Sequence, residues 1–113
     1  MKYELTDETY DYNGHTLHRI RRCNGGELGG WVESEDNLSQ VADCWVADEA
    51  KVWGNAWIHD DAQIYNKAVV GYDAEVYGNA RVYDEAKVYG DAQVHGDAHI
   101  KGLGKVEDEI DIY

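Results

Sequence analysis

From Ala50 onward, the chain places an alanine at every sixth position: Ala50, Ala56, Ala62, Ala68, Ala74, Ala80, Ala86, Ala92 and Ala98. Two residues after each stands valine or isoleucine, from Val52 through Ile58, Ile64, Val70, Val76, Val82, Val88 and Val94 to Ile100. This β-branched phase begins earlier, at Val46, and continues through Val106 and Ile112. Cys44 stands in the alanine phase before the run, as a small buried hydrophobe, and Gly104 and Ile110 occupy it afterwards. No insertion or deletion interrupts the series. A six-residue period cannot build an apolar stripe at helical spacing. Two inward positions, one small and one β-branched, fit a short strand followed by a tight turn. The turn residues agree: Gly54-Asn55, Asp60-Asp61, Gly78-Asn79, Gly90-Asp91 and Gly96-Asp97 are types that accept positive φ or cap a turn with their side chains. Turns this close and regular do not reverse the chain into hairpins. The pattern predicts a solenoid in which each strand stacks on its equivalent one coil away.

The stretch Val52-Trp53-Gly54-Asn55-Ala56-Trp57 and its successors resemble the hexapeptide repeat. That resemblance implies a left-handed parallel β-helix of triangular section, three repeats to a coil, over roughly residues 42–112. Residues 1–41 then form an N-terminal β cap with its connecting loop, and 42–113 the β-helix, in one structural domain. Within the cap, Lys2–Thr6 and His15–Arg22 read as two strands around an Asn13-Gly14 turn, with Asn24–Gly30 as the link to the first coil. Leu17-His18-Arg19-Ile20 and the run from Gly26 to Ser39 resemble small phage and prophage proteins of this layout. Those proteins carry a transferase label inherited from the repeat alone, and a fold does not establish a function.

Three repeats per coil stack residues eighteen apart, about 4.8 Å from one another. The first outward face carries Trp53, Gly71, Tyr89 and Glu107 beside Lys51, Val69, Lys87 and Lys105. A second carries His59, Tyr77, His95 and Tyr113 beside Trp57, Glu75, Gln93 and Asp111. The third carries Ala47, Tyr65, Tyr83 and Lys101 beside Trp45, Gln63, Arg81 and His99. Asp43, Asp61, Asn79 and Asp97 fall in one corner column, and Asn55, Asp73, Asp91 and Glu109 in another. Glu107-Asp108-Glu109 and Asp111 charge the C-terminal edge, which opposes end-to-end polymerisation.

Charge narrows the functional classes. The 113 residues include 23 acidic and 10 basic ones, a net charge of −13. Direct nucleic-acid binding requires clustered Lys and Arg, and anionic membrane surfaces are disfavoured for the same reason. No apolar run is long enough to span a bilayer. The start, Met1-Lys2-Tyr3-Glu4-Leu5, lacks the apolar centre of a signal peptide. Cys23 and Cys44 make no disulfide framework, so a reducing cytoplasm is expected, the host's if the chain is phage-encoded.

The candidate chemistry is sparse. His59 and His95 share a column two coils apart with Tyr77 between them, too far for one ion within one chain, so neither metal nor cofactor is expected. An acyltransferase is the alternative function. Enzymes with this repeat usually throw a loop out of the coil to hold a catalytic His; here the repeat is uninterrupted, and the shared column of Lys51, Lys87 and Lys105 is the best feature in favour. Arg19, Arg21 and Arg22 are the densest basic group, and pairing with carboxylates suits them better than nucleic acid.

The outward aromatics, Trp45, Trp53, Trp57, Tyr65, Tyr77, Tyr83 and Tyr89, either stack along the sheets or mark an interface. Val69 and Tyr72 break the polar pattern midway and point to a contact. Trp57, His59, Tyr77, His95 and Tyr113 form the first candidate face for a partner or for a homodimer or homotrimer; Trp45, Tyr65 and Tyr83 form the second. Asp43, Asp61 and Asp97, with Asp73 and Asp91, make acidic corners on a rod that holds fifteen acids against six bases from residue 42 onward. The expected function is a non-catalytic surface binder, phage-encoded by resemblance, that inhibits a host protein such as a nucleic-acid-binding defence complex of the CRISPR type by acidic mimicry or blocking. A self-assembling scaffold is a further alternative.

Overall fold

The computed structural model describes residues 1–107 and 111–112. Three strands precede the repeat: β1 (Tyr3–Tyr12), β2 (His15–Arg22) and β3 (Leu28–Val32). A short 3₁₀ turn, Glu35–Asn37, follows. Each repeat then contributes one two-residue strand, and these strands build three parallel sheets. The register is the expected eighteen residues: Lys51 pairs with Val69, Trp57 with Glu75, and Trp45 with Gln63. The chain is thus a parallel β-solenoid of about four turns.

Backbone and side chains agree on this path. Amides donate to carbonyls one coil on, as in Trp57 N to Ala74 O (3.0 Å) and Glu75 N to Ala92 O (2.9 Å). Inside, Val52, Val70 and Val88 stack along one wall and Ile58, Val76 and Val94 along the next, all fully buried. Each such side chain contributes roughly 1.5–3 kcal/mol. Alanine lies buried at the corners, and Cys44 is buried in that same phase. The turns need one residue per repeat in the left-handed region. Ala42, Asp48, Gly54, Asp60, Asn66, Tyr72, Gly78, Asp84, Gly90, Gly96 and Gly102 supply it, with φ between 56° and 68°.

The solenoid begins earlier than residue 42. β3 pairs in parallel with the strand Lys51–Val52, and Leu38 bridges to Ile58, so Val32 and Leu38 are the first members of their stacks. The spacing in this first coil is twenty residues, because the segment between Leu38 and Val46 is two residues longer than a repeat, while Val32 to Leu38 keeps the six-residue step. Asn37 is the buried polar side chain that holds the 3₁₀ turn. Its Oδ1 accepts from the amides of Glu33 and Ser34 (both 2.9 Å), and its Nδ2 donates to the carbonyls of Gly54 (3.1 Å) and Ala56 (2.9 Å).

The hairpin of β1 and β2 has the expected turn, with Asn13 and Gly14 at φ 50° and 87°. β1 extends well past Thr6, however, through a bulge between Leu5 and Thr9 to Tyr12. Two tasks account for its length. At its base, Tyr3 and Ile20 are fully buried against the open end of the core. The Tyr3 hydroxyl donates to the carbonyls of Leu38 (2.5 Å) and Glu35 (3.1 Å), and the Lys2 ammonium to that of Cys44 (2.7 Å). Farther along, Leu17 packs with Trp31, Trp53 and Val69 on the outer side of the first face, a second apolar cluster. Among the described residues no helix is long and apolar enough to cross a membrane.

Asn37→Ala leaves four backbone groups at the first corner without their partner. It is expected to cost about 3 kcal/mol, since buried unsatisfied groups cost roughly 1–3 kcal/mol each and some will recover water. Urea denaturation followed by circular dichroism measures this.

Candidate interaction surfaces

The second face is a continuous ring stack. Trp57 and His59 flank Ile58 on one strand, with ring centroids 3.7 Å apart. His59 lies over Tyr77 at 4.9 Å and 8°, and Tyr77 over His95 at 4.9 Å and 6°. The 18-residue register places these rings one above another, and the parallel ladder sets their separation. A diagonal set of polar contacts runs alongside. His59 Nε2 meets Glu75 Oε2 at 2.6 Å, the Tyr77 hydroxyl donates to Gln93 Oε1 at 3.3 Å, and His95 Nε2 pairs with Asp111. His59 Nδ1 is also held, by Asp60 Oδ1 at 3.3 Å. Desolvation, with the carboxylates of Glu75, Asp111 and Asp60, raises the pKa of the Tyr77 phenol, so it stays protonated as a donor. Trp57 is 45% exposed at the end of the stack. Tyr113, assigned to this face by register, lies outside the described residues.

The third face differs from expectation at one residue. Tyr65 and Tyr83 stack at 5.0 Å and 2°, as their column predicts. Trp45 also points outward from its coil, yet it is only 4% exposed. Tyr3 meets its edge at 6.2 Å, and the Arg22 guanidinium lies 3.9 Å above its ring. Trp45 therefore belongs to the hairpin's packing and is withdrawn as a surface residue.

Trp53 is buried for the same reason on the first face, with Tyr12 at 6.4 Å and His15 at 4.5 Å. The contact that Val69 and Tyr72 announce is thus made, at least in part, within the chain: Val69 sits in the cluster under the hairpin, and Tyr72 meets Trp53 edge-on at 4.6 Å. Gly71 is what permits it. A Cβ on Gly71 would lie 2.2 Å from the Trp53 indole, so the ring crosses that position only because no side chain occupies it. Trp31 joins the same cluster from β3, a strand outside the six-residue run, for which its apolar neighbour Val32 is the local signal.

The acidic corners hold two kinds of carboxylate. Asp48, Asp60 and Asp84 occupy the left-handed position and cap the next coil: Asp48 Oδ2 accepts from Asn66 N (3.0 Å), Asp60 Oδ2 from Gly78 N (3.1 Å) and Asp84 Oδ2 from Gly102 N (3.0 Å). The following position carries Asp43, Asp61 and Asp97 at one corner and Asp73 and Asp91 at another, all exposed. Contacts there are lighter. Asp61 Oδ1 accepts from Asp43 N at 3.3 Å, Asp97 Oδ1 from Asn79 Nδ2 at 3.4 Å, and Asp73 Oδ1 from Asn55 Nδ2 at 3.1 Å. These leave most carboxylate lone pairs directed to solvent. The third corner alternates instead, with Lys67 between Glu49 and Glu85 in its column.

Among the described residues no group of three His, Cys, Asp or Glu side chains is placed to hold a metal ion. Comparison with protein-family models and with curated proteins returns no match.

Gly71→Ala is expected to displace the Trp53 indole and to cost about 2 kcal/mol by overpacking. Thermal unfolding monitored by tryptophan fluorescence will show a lower midpoint and a red-shifted native spectrum.

Proposed function

We propose that this chain is a non-catalytic binding module that presents fixed carboxylates to the basic groove of a partner protein. The observation that carries the reading is the pair of exposed corner columns, Asp43–Asp61–Asn79–Asp97 and Asp73–Asp91, whose carboxylates lie at one or two coil spacings on a hydrogen-bonded frame. A rod so charged produces a field that steers a basic surface towards it. Spaced negative charge on a stiff support is also how a nucleic-acid backbone presents itself. With the resemblance of the N-terminal segment to phage proteins, this favours an inhibitor of a host nucleic-acid-binding complex, acting in the host cytoplasm.

Acyl transfer has less support. A general base needs a free imidazole nitrogen, and both nitrogens of His59 are engaged by carboxylates. The coil also carries no protruding loop between Val46 and Val106 to shape an acyl pocket.

The test begins with a pull-down from a bacterial host lysate and then measures the recovered partner's affinity. Asp61→Lys with Asp97→Lys is expected to weaken binding at least tenfold and to flatten its salt dependence, while the fold survives, since both residues lie in exposed turns. DNA or RNA is expected to compete. Affinity indifferent to salt, charge reversal and competitor sinks this reading.

The exposed edge of the Trp57–His95 stack favours a second role, self-association into a homodimer or homotrimer, since exposed aromatic strips of this kind are enriched at interfaces. Trp57→Lys with Tyr77→Lys then lowers the mass seen by light scattering to 12.8 kDa. Wild-type protein that is already monomeric at high concentration removes it.

A further inference from the structure

The hairpin does not cover the whole first face. Beyond its tip a cleft of about 360 Å³ opens between Tyr12 and the last two coils. Val69 and Leu103 give it apolar walls, and the Lys87 and Lys105 side chains enter from its floor. Tyr12 packs, with Tyr89, against the apolar cluster of Leu17, Trp31, Trp53 and Val69.

The two lysines are an anomaly in this chain. Lys87 and Lys105 are direct partners on adjacent parallel strands, about 4.8 Å apart at the backbone. Like charges placed opposite one another destabilise a sheet. The chain has 23 acidic residues with which to relieve this pair. Even so, neither ammonium forms an ion pair with a carboxylate among the described residues. The contrast with neighbouring bases is sharp. Lys51, in the same column, lies over the rings of Tyr10 and Tyr12 and donates to the Glu49 carbonyl. Arg19, Arg21 and Arg22 each have a glutamate. The other charged groups lining the cleft are Lys67 and Glu85, which neighbour each other in the corner column and offset one another.

We infer that this cleft is a binding site for a small molecule bearing two adjacent anionic groups, a diphosphate or a dicarboxylate, whose apolar remainder lies against Tyr12, Val69 and Leu103. Two lysines whose backbones lie one strand spacing apart suit a compact dianion, and its binding offsets their mutual repulsion. The cleft exists only because the hairpin tip supplies a wall, so it is a property of the assembled chain and of no single repeat. It shares no residue with the acidic corners or the ring stack, so its failure would leave the proposed function untouched.

The experiment is calorimetry and thermal unfolding of the full chain with inorganic pyrophosphate, with succinate, and with sodium chloride at matched ionic strength. Saturable binding of pyrophosphate or succinate is expected, with a midpoint rise of about 4 °C at saturation. Whichever dianion responds identifies the anionic group. Lys87→Gln with Lys105→Gln is expected to fold with an unchanged or higher midpoint and to weaken binding at least tenfold. Tyr12→Ser, which keeps both charges and removes the wall, tests the cleft without altering its electrostatics and is expected to weaken binding as well. Three results overturn the inference: no saturable response to either dianion, an equal response to sodium chloride, or binding retained by the double lysine variant.

Discussion

Everything in this chain follows from one steric and hydrogen-bonding constraint: a parallel ladder without insertions forces each residue to sit above the one eighteen positions earlier. From Cys44 onward the inward positions carry only small or β-branched side chains, and one residue per turn takes the left-handed conformation that bends the coil. Once those two positions are set, the remaining ones face outward in fixed columns. A carboxylate, a ring or an ammonium is then repeated at the strand spacing whether or not it benefits the fold. Rings benefit, as the His59–Tyr77–His95 stack shows. Lys87 and Lys105 do not, and neither has a carboxylate partner among the described residues.

An open coil is incomplete at its ends, and the N-terminal hairpin answers that need unevenly. Its base closes the core with Tyr3 and Ile20, while its tip crosses one face and leaves the other two bare. The covering has a cost. The indole N–H groups of Trp31, Trp45 and Trp53 are buried without acceptors, roughly 1–3 kcal/mol each. Ring burial and the guanidinium groups of Arg19 and Arg22, 5.2 Å and 3.9 Å from the rings of Trp31 and Trp45, offset it. What results is a division of labour among chemically similar residues. Trp31, Trp45 and Trp53 hold the hairpin, and Trp57 alone among the tryptophans stays available to a partner.

The columns were legible from sequence because a strict period converts position directly into geometry; His59, Tyr77, Tyr65, Tyr83 and the corner aspartates lie where counting by eighteen puts them. The first coil was not, since the two extra residues between Leu38 and Val46 break the count and put Val32 and Leu38 out of phase with the run that follows. Nor was the length of β1, which the sequence ends at Thr6 although the strand continues beyond its bulge to Tyr12. The burial of Trp45 depends on where a hairpin lands, a tertiary outcome with no local signature. The same holds for the cleft, whose lysine column was visible in the sequence while its Tyr12 wall was not.

Rigidity connects these features to binding. A flexible acidic segment must lose conformational entropy when it docks, on the order of 0.5–1.5 kcal/mol per immobilised side chain, and that loss reduces affinity. Here folding has already ordered the backbone beneath every corner carboxylate, and Asp43, Asp61 and Asp97 need only adjust short side chains. At that corner Asp60 ties one coil to the next through the Gly78 amide, and Asp48 and Asp84 make the same tie at the third corner. A partner groove that matches the coil spacing gains from every column member at once. One that does not match cannot be accommodated by bending the rod, so the stacking that stabilises the fold also limits the partners that fit it.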